Sequence, residues 1–161
     1  MEETVELRFK YLEDEYVLAY RQYVLAQKRS TFFIGLALAL IIVGIYLLLS
    51  GGDVALTVSL IGTGSFLFGL LFTSVGILPH RRFRADPRFK SEYLLRFSED
   101  GIEFHTDDID AKIKWGIYKK ALETKRFYLL SDDASTLTVI PKRAFTNAQE
   151  SVFSQMLDTK V

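Results

Sequence analysis

The chain of 161 residues has no cysteine, which excludes disulfides, thiol catalysis and cysteine-built zinc or iron–sulfur sites. Its two histidines, His80 and His105, fall in different elements, and no zinc site is expected between them. Lys plus Arg number 20 and Asp plus Glu number 20, so the overall charge points to no class of partner. A phosphate loop, GxSxG, HExxH and paired-cysteine motifs are all missing. The most informative absence is local. No Asp, Glu, Lys, Arg or His occurs from Thr31 to Ser50, or from Val54 to Leu78. Only Gly51-Gly52-Asp53 separates these two runs.

A spanning helix needs about 20 apolar residues at roughly 1.5 Å each. Both runs meet that length, and backbone groups in hydrocarbon must bond within their own segment. The expectation is a two-helix transmembrane hairpin, 31–50 and 54–78. A cleaved signal peptide is disfavoured. The first run follows an acidic, structured-looking stretch and exceeds the 7–15-residue apolar core of such peptides.

Basic residues set the orientation. Lys28 and Arg29 precede the first run, while Arg81, Arg82, Arg84, Arg88 and Lys90 follow the second. The connecting turn carries only Asp53. Both termini are expected in the cytoplasm, with the turn outside, in a two-pass protein of the cell inner membrane. The cluster around Arg81, Arg82 and Arg84 reads as a topology signal at the headgroups or as a lipid-headgroup contact. Gly62, Ser65, Gly69 and Thr73 place small residues on one face of the second span, with Gly35 and Ala39 similarly spaced on the first. Such faces let helices approach closely, either to pack the two spans or to form a homo-oligomer seam.

The polar ends read as one small domain. Residues 1–12 hold a strand in which Val5, Leu7 and Phe9 alternate with charged residues. Glu13, Asp14 and Glu15 then open a juxtamembrane helix, 13–30, expected to run straight into the first span. A basic linker, 79–91, follows the second span, with Asp86-Pro87 turning the chain away. Residues 92–161 form the cytoplasmic domain. Its strands are expected around Tyr93–Phe97, Ile102–His105, Ala111–Trp115, Tyr118–Thr124, Phe127–Leu130 and Leu137–Ile140. Pro141 ends the last of these strands. In the Ala111–Trp115 segment Ile113 and Trp115 point inward, and Lys112 and Lys114 share the outer face. Thr146 and Gln149 form a capping box for a final helix whose Ala148, Val152, Met156 and Leu157 would face the sheet.

Asp107, Asp108 and Asp110 have the chemistry for a hard cation but lack an EF-hand pattern, and read better as a solvated turn. Asp132 and Asp133 read the same way. Lys112, Lys114, Lys142 and Arg143 are candidate contacts to lipid or a partner, or solvated charges that guard strand edges. Nucleic-acid binding is not expected, because the RNA-binding aromatic signature is missing and carboxylates are frequent.

Phe97-Ser98-Glu99-Asp100-Gly101-Ile102, Ile113-Lys114-Trp115, Glu123-Thr124 and Ile140-Pro141-Lys142-Arg143-Ala144-Phe145 together resemble the YcxB-like family of bacterial membrane proteins. The paired spans, Asp86-Pro87 and the stretch from Tyr16 to Tyr20 resemble it too. The resemblance implies an α+β membrane protein. It would carry a hairpin plus a small pleckstrin-homology-like antiparallel β-barrel or sheet with a C-terminal helix. It implies no activity, catalytic residue or cofactor. In the Ile-Pro-Lys-Arg-Ala-Phe phrase, Ala144 and Phe145 are expected to pack and Lys142 and Arg143 to stay exposed.

The functional expectation is a membrane-anchored, non-catalytic binding or regulatory module whose partners are the lipid bilayer and a second copy or an unknown membrane or cytoplasmic protein. The alternative is an accessory subunit of a membrane transport complex. An enzyme would need an acid/base pair such as His105 and Asp107, and no spacing marks one.

Overall fold

The computed structural model describes residues 4–106, 110–132 and 137–160. Asp107, Asp108 and Asp133 lie outside the described residues. The chain divides into two compact units, one from Tyr20 to Arg82 and the other from the chain up to Ala19 and from Phe83 onward. The divisions fall inside two helices, α1 (Glu13–Ala26) and α4 (Leu78–Ala85).

The first unit is built on α2 (Lys28–Leu49) and α3 (Val54–Phe72), both long and apolar enough to cross a membrane. Their turn is closed by local chemistry. Ser50 caps α2, Gly51 takes φ +73°, and the Gly52 N–H returns to the Leu47 carbonyl at 2.8 Å. That is the six-to-one bond of a glycine C-cap, which a side chain at Gly51 would strain. Asp53 then caps α3 by accepting from the Leu56 N–H at 2.8 Å.

The helices meet along Ala37 and Gly44 on α2 and Thr57 and Gly64 on α3, each pair one heptad apart and all four buried. A Cβ at Gly44 would stand 2.6 Å from Ile61 Cγ1. One at Gly64 would stand 2.7 Å from Ile41 Cγ1 and 2.9 Å from the Ala37 carbonyl. The small residues therefore allow an approach that larger ones would block.

One expectation about helix continuity changes. The juxtamembrane helix does not run into the first span: α1 ends at Ala26 and Gln27 is extended at φ −72°, ψ 130°. Neither Pro nor Gly marks this break. The first part of the basic linker, 79–91, is itself helical. A five-residue π-helical turn, Thr73–Ile77, leads into α4, carrying helix on to Ala85. Pro79 accounts for the irregularity, since proline has no N–H for the carbonyl four residues back and its ring crowds that position.

Among the described residues the second unit holds seven strands: β1 (Val5–Lys10), β2 (Glu92–Ser98), β3 (Gly101–His105), β4 (Asp110–Ile113), β5 (Lys120–Glu123), β6 (Phe127–Ser131) and β7 (Leu137–Pro141). They form a four-stranded sheet, β1-β2-β3-β4, and a three-stranded sheet, β5-β6-β7, both antiparallel. Neither closes into a barrel among the described residues, which corrects the barrel form of the expectation. β1 pairs with β2 from Val5↔Phe97 to Lys10↔Glu92, although the whole first unit lies between them in sequence. Its inward residues Val5, Leu7 and Phe9 are buried, as the alternation requires.

The last helix, α5 (Asn147–Lys160), starts with the capping box: Gln149 Oε1 accepts from the Thr146 N–H at 3.0 Å. Its anchor is Phe153, fully buried against Phe97 of one sheet at 4.7 Å and Tyr128 of the other at 5.0 Å between ring centroids. Leu157 is buried as expected, but Ala148 is exposed and Val152 and Met156 are only half-buried. Trp115 is buried too, but in a 3-10 turn (Trp115–Ile117) rather than in β4, and its indole N–H bonds the Ser98 carbonyl at 2.8 Å. The Tyr11 hydroxyl donates to the Val139 carbonyl at 2.6 Å, joining the end of β1 to β7. Burial pushes that phenol's pKa well up, so it stays a neutral donor.

Candidate functional site

The candidate residues fall into four places. Arg81, Arg82 and Arg84 share α4. Arg82 lies over the Tyr20 ring at 5.7 Å, a cation–π distance. Arg84 donates to Glu13 Oε1 at 3.0 Å and remains largely exposed, so that pair is a weak tie.

Lys112 is part of a charge ladder. Glu6, Arg96, Glu103 and Lys112 stand directly opposite one another on β1, β2, β3 and β4. Arg96 bonds Glu6 at 3.2 Å and approaches Glu103 at 3.9 Å, and Lys112 reaches Glu103 at 3.1 Å. Opposite charges in register are a standard source of sheet stability. The Lys112 hydrogen bond holds the Glu103 carboxyl below its ordinary pKa. Lys114 does not share that strand face: β4 stops at Ile113, and Lys114 stands extended at the start of the following turn, its side chain making no capping bond. Two register positions along, His105 Nδ1 meets Asp110 at 3.0 Å, an edge pair across β3 and β4.

Lys142 and Arg143 are adjacent but turn to different partners. Lys142 is half-buried rather than exposed. Its ammonium donates to Glu123 of β5, lies 3.0 Å from Glu150 of α5 and sits 4.5 Å over the Tyr128 ring. Burial works against its charge, but the bonds to Glu123, Glu150 and Tyr128 outweigh it and raise its pKa above that of an ordinary lysine. Glu150 is correspondingly lowered, first by its bond to Lys142, and also accepts from the Tyr128 hydroxyl at 3.1 Å. Arg143 grips Glu15 of α1 with two bonds, 2.7 and 2.8 Å, and donates to the Lys10 carbonyl at 2.9 Å. Both side chains therefore brace the domain. Their partners lie at positions 15, 123 and 150, so no local pattern announced them.

The small-residue face behaves differently from the first of its two readings. Gly62, Ser65, Gly69 and Thr73 are exposed, and a Cβ on Gly62 or Gly69 would meet nothing within 4 Å. The seam between α2 and α3 runs through Ala37, Gly44, Thr57 and Gly64 instead. Four hydroxyls on the hairpin are satisfied within their own helix: Thr57, Ser59, Thr73 and Ser74 each donate to the carbonyl four residues back.

A feature that the strand reading passed over is the turn after β4. Trp115 and Tyr118 are buried on either side of Gly116 and Ile117, which are exposed. The Tyr118 hydroxyl shares a 3.0 Å hydrogen bond with Thr138. A five-residue Ala111–Trp115 strand hides this turn, because its alternation continues two residues past the end of β4.

Residues 97–157 match the family model for YcxB-like protein. Phe97 to Ile102, Ile113 to Trp115, Glu123-Thr124 and Ile140 to Phe145 fall inside that match; the paired runs, Asp86-Pro87 and Tyr16 to Tyr20 fall outside it. Comparison with curated proteins gave no match, and neither did comparison with solved structures.

Proposed function

With residues 97–157 a YcxB-like domain, we propose that the protein is a membrane-anchored, non-catalytic binding or regulatory module at the cytoplasmic face of a bacterial inner membrane. The observation that carries this reading is the outward face of the hairpin. Ile42, Leu49, Phe66 and Phe72 are each more than half exposed on helices long enough to span. A contiguous apolar surface of this extent is costly in water and neutral in lipid. The internally bonded hydroxyls suit the same solvent.

Lys28 and Arg29 in the first turn of α2, and the arginines of α4 after α3, favour both termini on the cytoplasmic side. The pleckstrin-homology-like reading belongs to this proposal. Four strands, three strands and a closing helix are the parts such a fold uses, but fold analogy assigns no ligand. Most titratable candidates are spent on ties between elements, which supports a scaffold rather than a reaction centre.

The chain's lack of cysteine gives a direct test. Asp53→Cys should react with a membrane-impermeant maleimide on intact cells, and Lys160→Cys only after permeabilisation. Labelling of position 160 in intact cells would overturn the orientation. Extraction of the protein by salt or alkali without detergent would overturn the anchor.

The second reading is an accessory subunit of a membrane transport complex, or a self-associating anchor. It is favoured by the unpartnered face of Gly62, Ser65, Gly69 and Thr73. Crosslinking in intact membranes distinguishes it: adducts through α3 support docking, and adducts confined to the strand domain support the first reading.

A further inference from the structure

We propose that the turn after β4 is a second, peripheral membrane contact, with Ile117 as its apolar tip and Lys114, Lys119 and Lys120 as its anionic-lipid grip. The proposal rests on the anchor reading only in that the hairpin supplies a nearby bilayer.

The turn is built to present its tip. Trp115 and Tyr118 are both 4% exposed, and each is fixed by a side-chain hydrogen bond, to the Ser98 carbonyl and to Thr138. Between them Ile117 is 50% exposed, and the space beside Gly116 is open. Burial of Ile117 therefore contributes little to the fold, whereas its two neighbours do the packing. Lys114, Lys119 and Lys120 flank the tip within three positions, all exposed. Among the described residues none of the three has an ion-pair partner, unlike Lys112 and Lys142. Lys119 is held by its backbone, donating to the Ser131 carbonyl at 2.9 Å, which leaves its side chain free to reach outward.

An apolar tip ringed by uncompensated cations fits a surface that is anionic outside and apolar within, namely a bilayer containing acidic lipid. A protein surface of matching charge would lack the apolar layer beneath, so lipid is the better occupant. Tethering by the hairpin lets a weak contact of this kind act at high effective concentration.

The test uses the full chain with a single environment-sensitive probe on Ile117→Cys. The protein is reconstituted in phosphatidylcholine vesicles, or in the same lipid with about 30 mol% phosphatidylglycerol. The expected result is a blue shift and quenching by lipid-borne nitroxide in the acidic vesicles only. Each Lys→Glu change at 114, 119 or 120 should lower the bound fraction, each removed lysine being equivalent to roughly fivefold in partition. Far-UV circular dichroism and the fluorescence of Trp115 report that the variants stay folded.

A probe on Ile42→Cys reports the anchor separately. If Ile42 senses lipid and Ile117 stays water-like in both vesicles, the proposal fails and the anchor stands. If Ile42 is water-like, the anchor reading fails; an Ile117 shift confined to acidic vesicles still supports the proposal, and a water-like Ile117 overturns it. A shift at Ile117 of equal size in neutral vesicles and insensitive to the lysine changes also overturns the proposal, pointing to a second copy of the chain. A shift that appears only on adding soluble protein overturns it in favour of a protein partner.

Discussion

The Arg21 guanidinium donates through Nε to the Val75 carbonyl at 2.9 Å, the oxygen that would take the N–H of residue 79 if that residue were not proline. The π-helical turn Thr73–Ile77, which ends with the Leu78 N–H on the Thr73 carbonyl, sits over the same step. A side chain from α1 therefore serves the backbone where the second run changes from α3 to α4. Arg21→Ala should destabilise the hairpin by about 1 kcal/mol. In a Pro79→Ala background the restored N–H can take over, and the same change should cost much less. Thermal unfolding of the four proteins in detergent measures the coupling, and equal costs in both backgrounds would refute it.

The two glycine faces of α3 should respond in opposite ways. Gly64→Leu puts a side chain against Ile41 and the Ala37 carbonyl, and should lower the stability of the hairpin by about 1–3 kcal/mol. Gly69→Leu meets open space and should leave stability unchanged within about 0.5 kcal/mol. If Gly69→Leu instead weakens crosslinking between copies or to another membrane protein, the exposed face docks. The measurements are thermal melts in detergent and crosslinking yield in membranes.

Lys142 gives a pH prediction whose sign can be worked out. The Glu150 carboxyl is held below its unfolded pKa, so its contribution is present above that value and lost as pH falls through the folded one. Lys142 is raised, so its contribution is present below the unfolded lysine pKa and lost only as pH climbs through the folded value. Both hold at neutral pH. Lys142→Met should flatten the fall in stability across the carboxylate range, about pH 5 to 3. After allowance for solvent screening the Glu150 share is at most about 1 kcal/mol. Denaturant titrations at several pH values test this, and an unchanged slope would show that the pair is not coupled.

What the sequence made legible was local. The alternation of Val5, Leu7 and Phe9, the Thr146–Gln149 cap and the Gly-Gly-Asp turn each need only neighbours along the chain, and each is seen. What it hid was long-range or a matter of phase. The helix face expected through Ala148, Val152, Met156 and Leu157 omits Phe153, which stands four residues before Leu157; the buried side runs through Phe153 and Leu157, about 100° on from Val152 and Met156. The four-residue spacing of Ser65, Gly69 and Thr73 drew attention to one face, while the hairpin closes on the seven-residue spacing of Ala37 with Gly44 and Thr57 with Gly64. Arg143 is exposed as expected and Lys142 is not; the ion pairs of both were hidden because their carboxylates come from other elements.

Arg143 offers the sharpest check on a structural role for the Ile-Pro-Lys-Arg-Ala-Phe phrase. Its guanidinium binds both oxygens of Glu15 and the Lys10 carbonyl, a planar fork that lysine cannot reproduce. If the residue braces α1 and β1 against the end of β7, Arg143→Lys should lower stability by roughly 1 kcal/mol despite keeping the charge. Arg143→Glu should cost more, and the exchange with Glu15→Arg should recover part of the loss. If the residue instead served as a generic positive contact to lipid or a partner, Arg143→Lys would leave both stability and membrane association unchanged. Thermal unfolding of the full chain in detergent, read beside vesicle association of the same variants, separates the two roles.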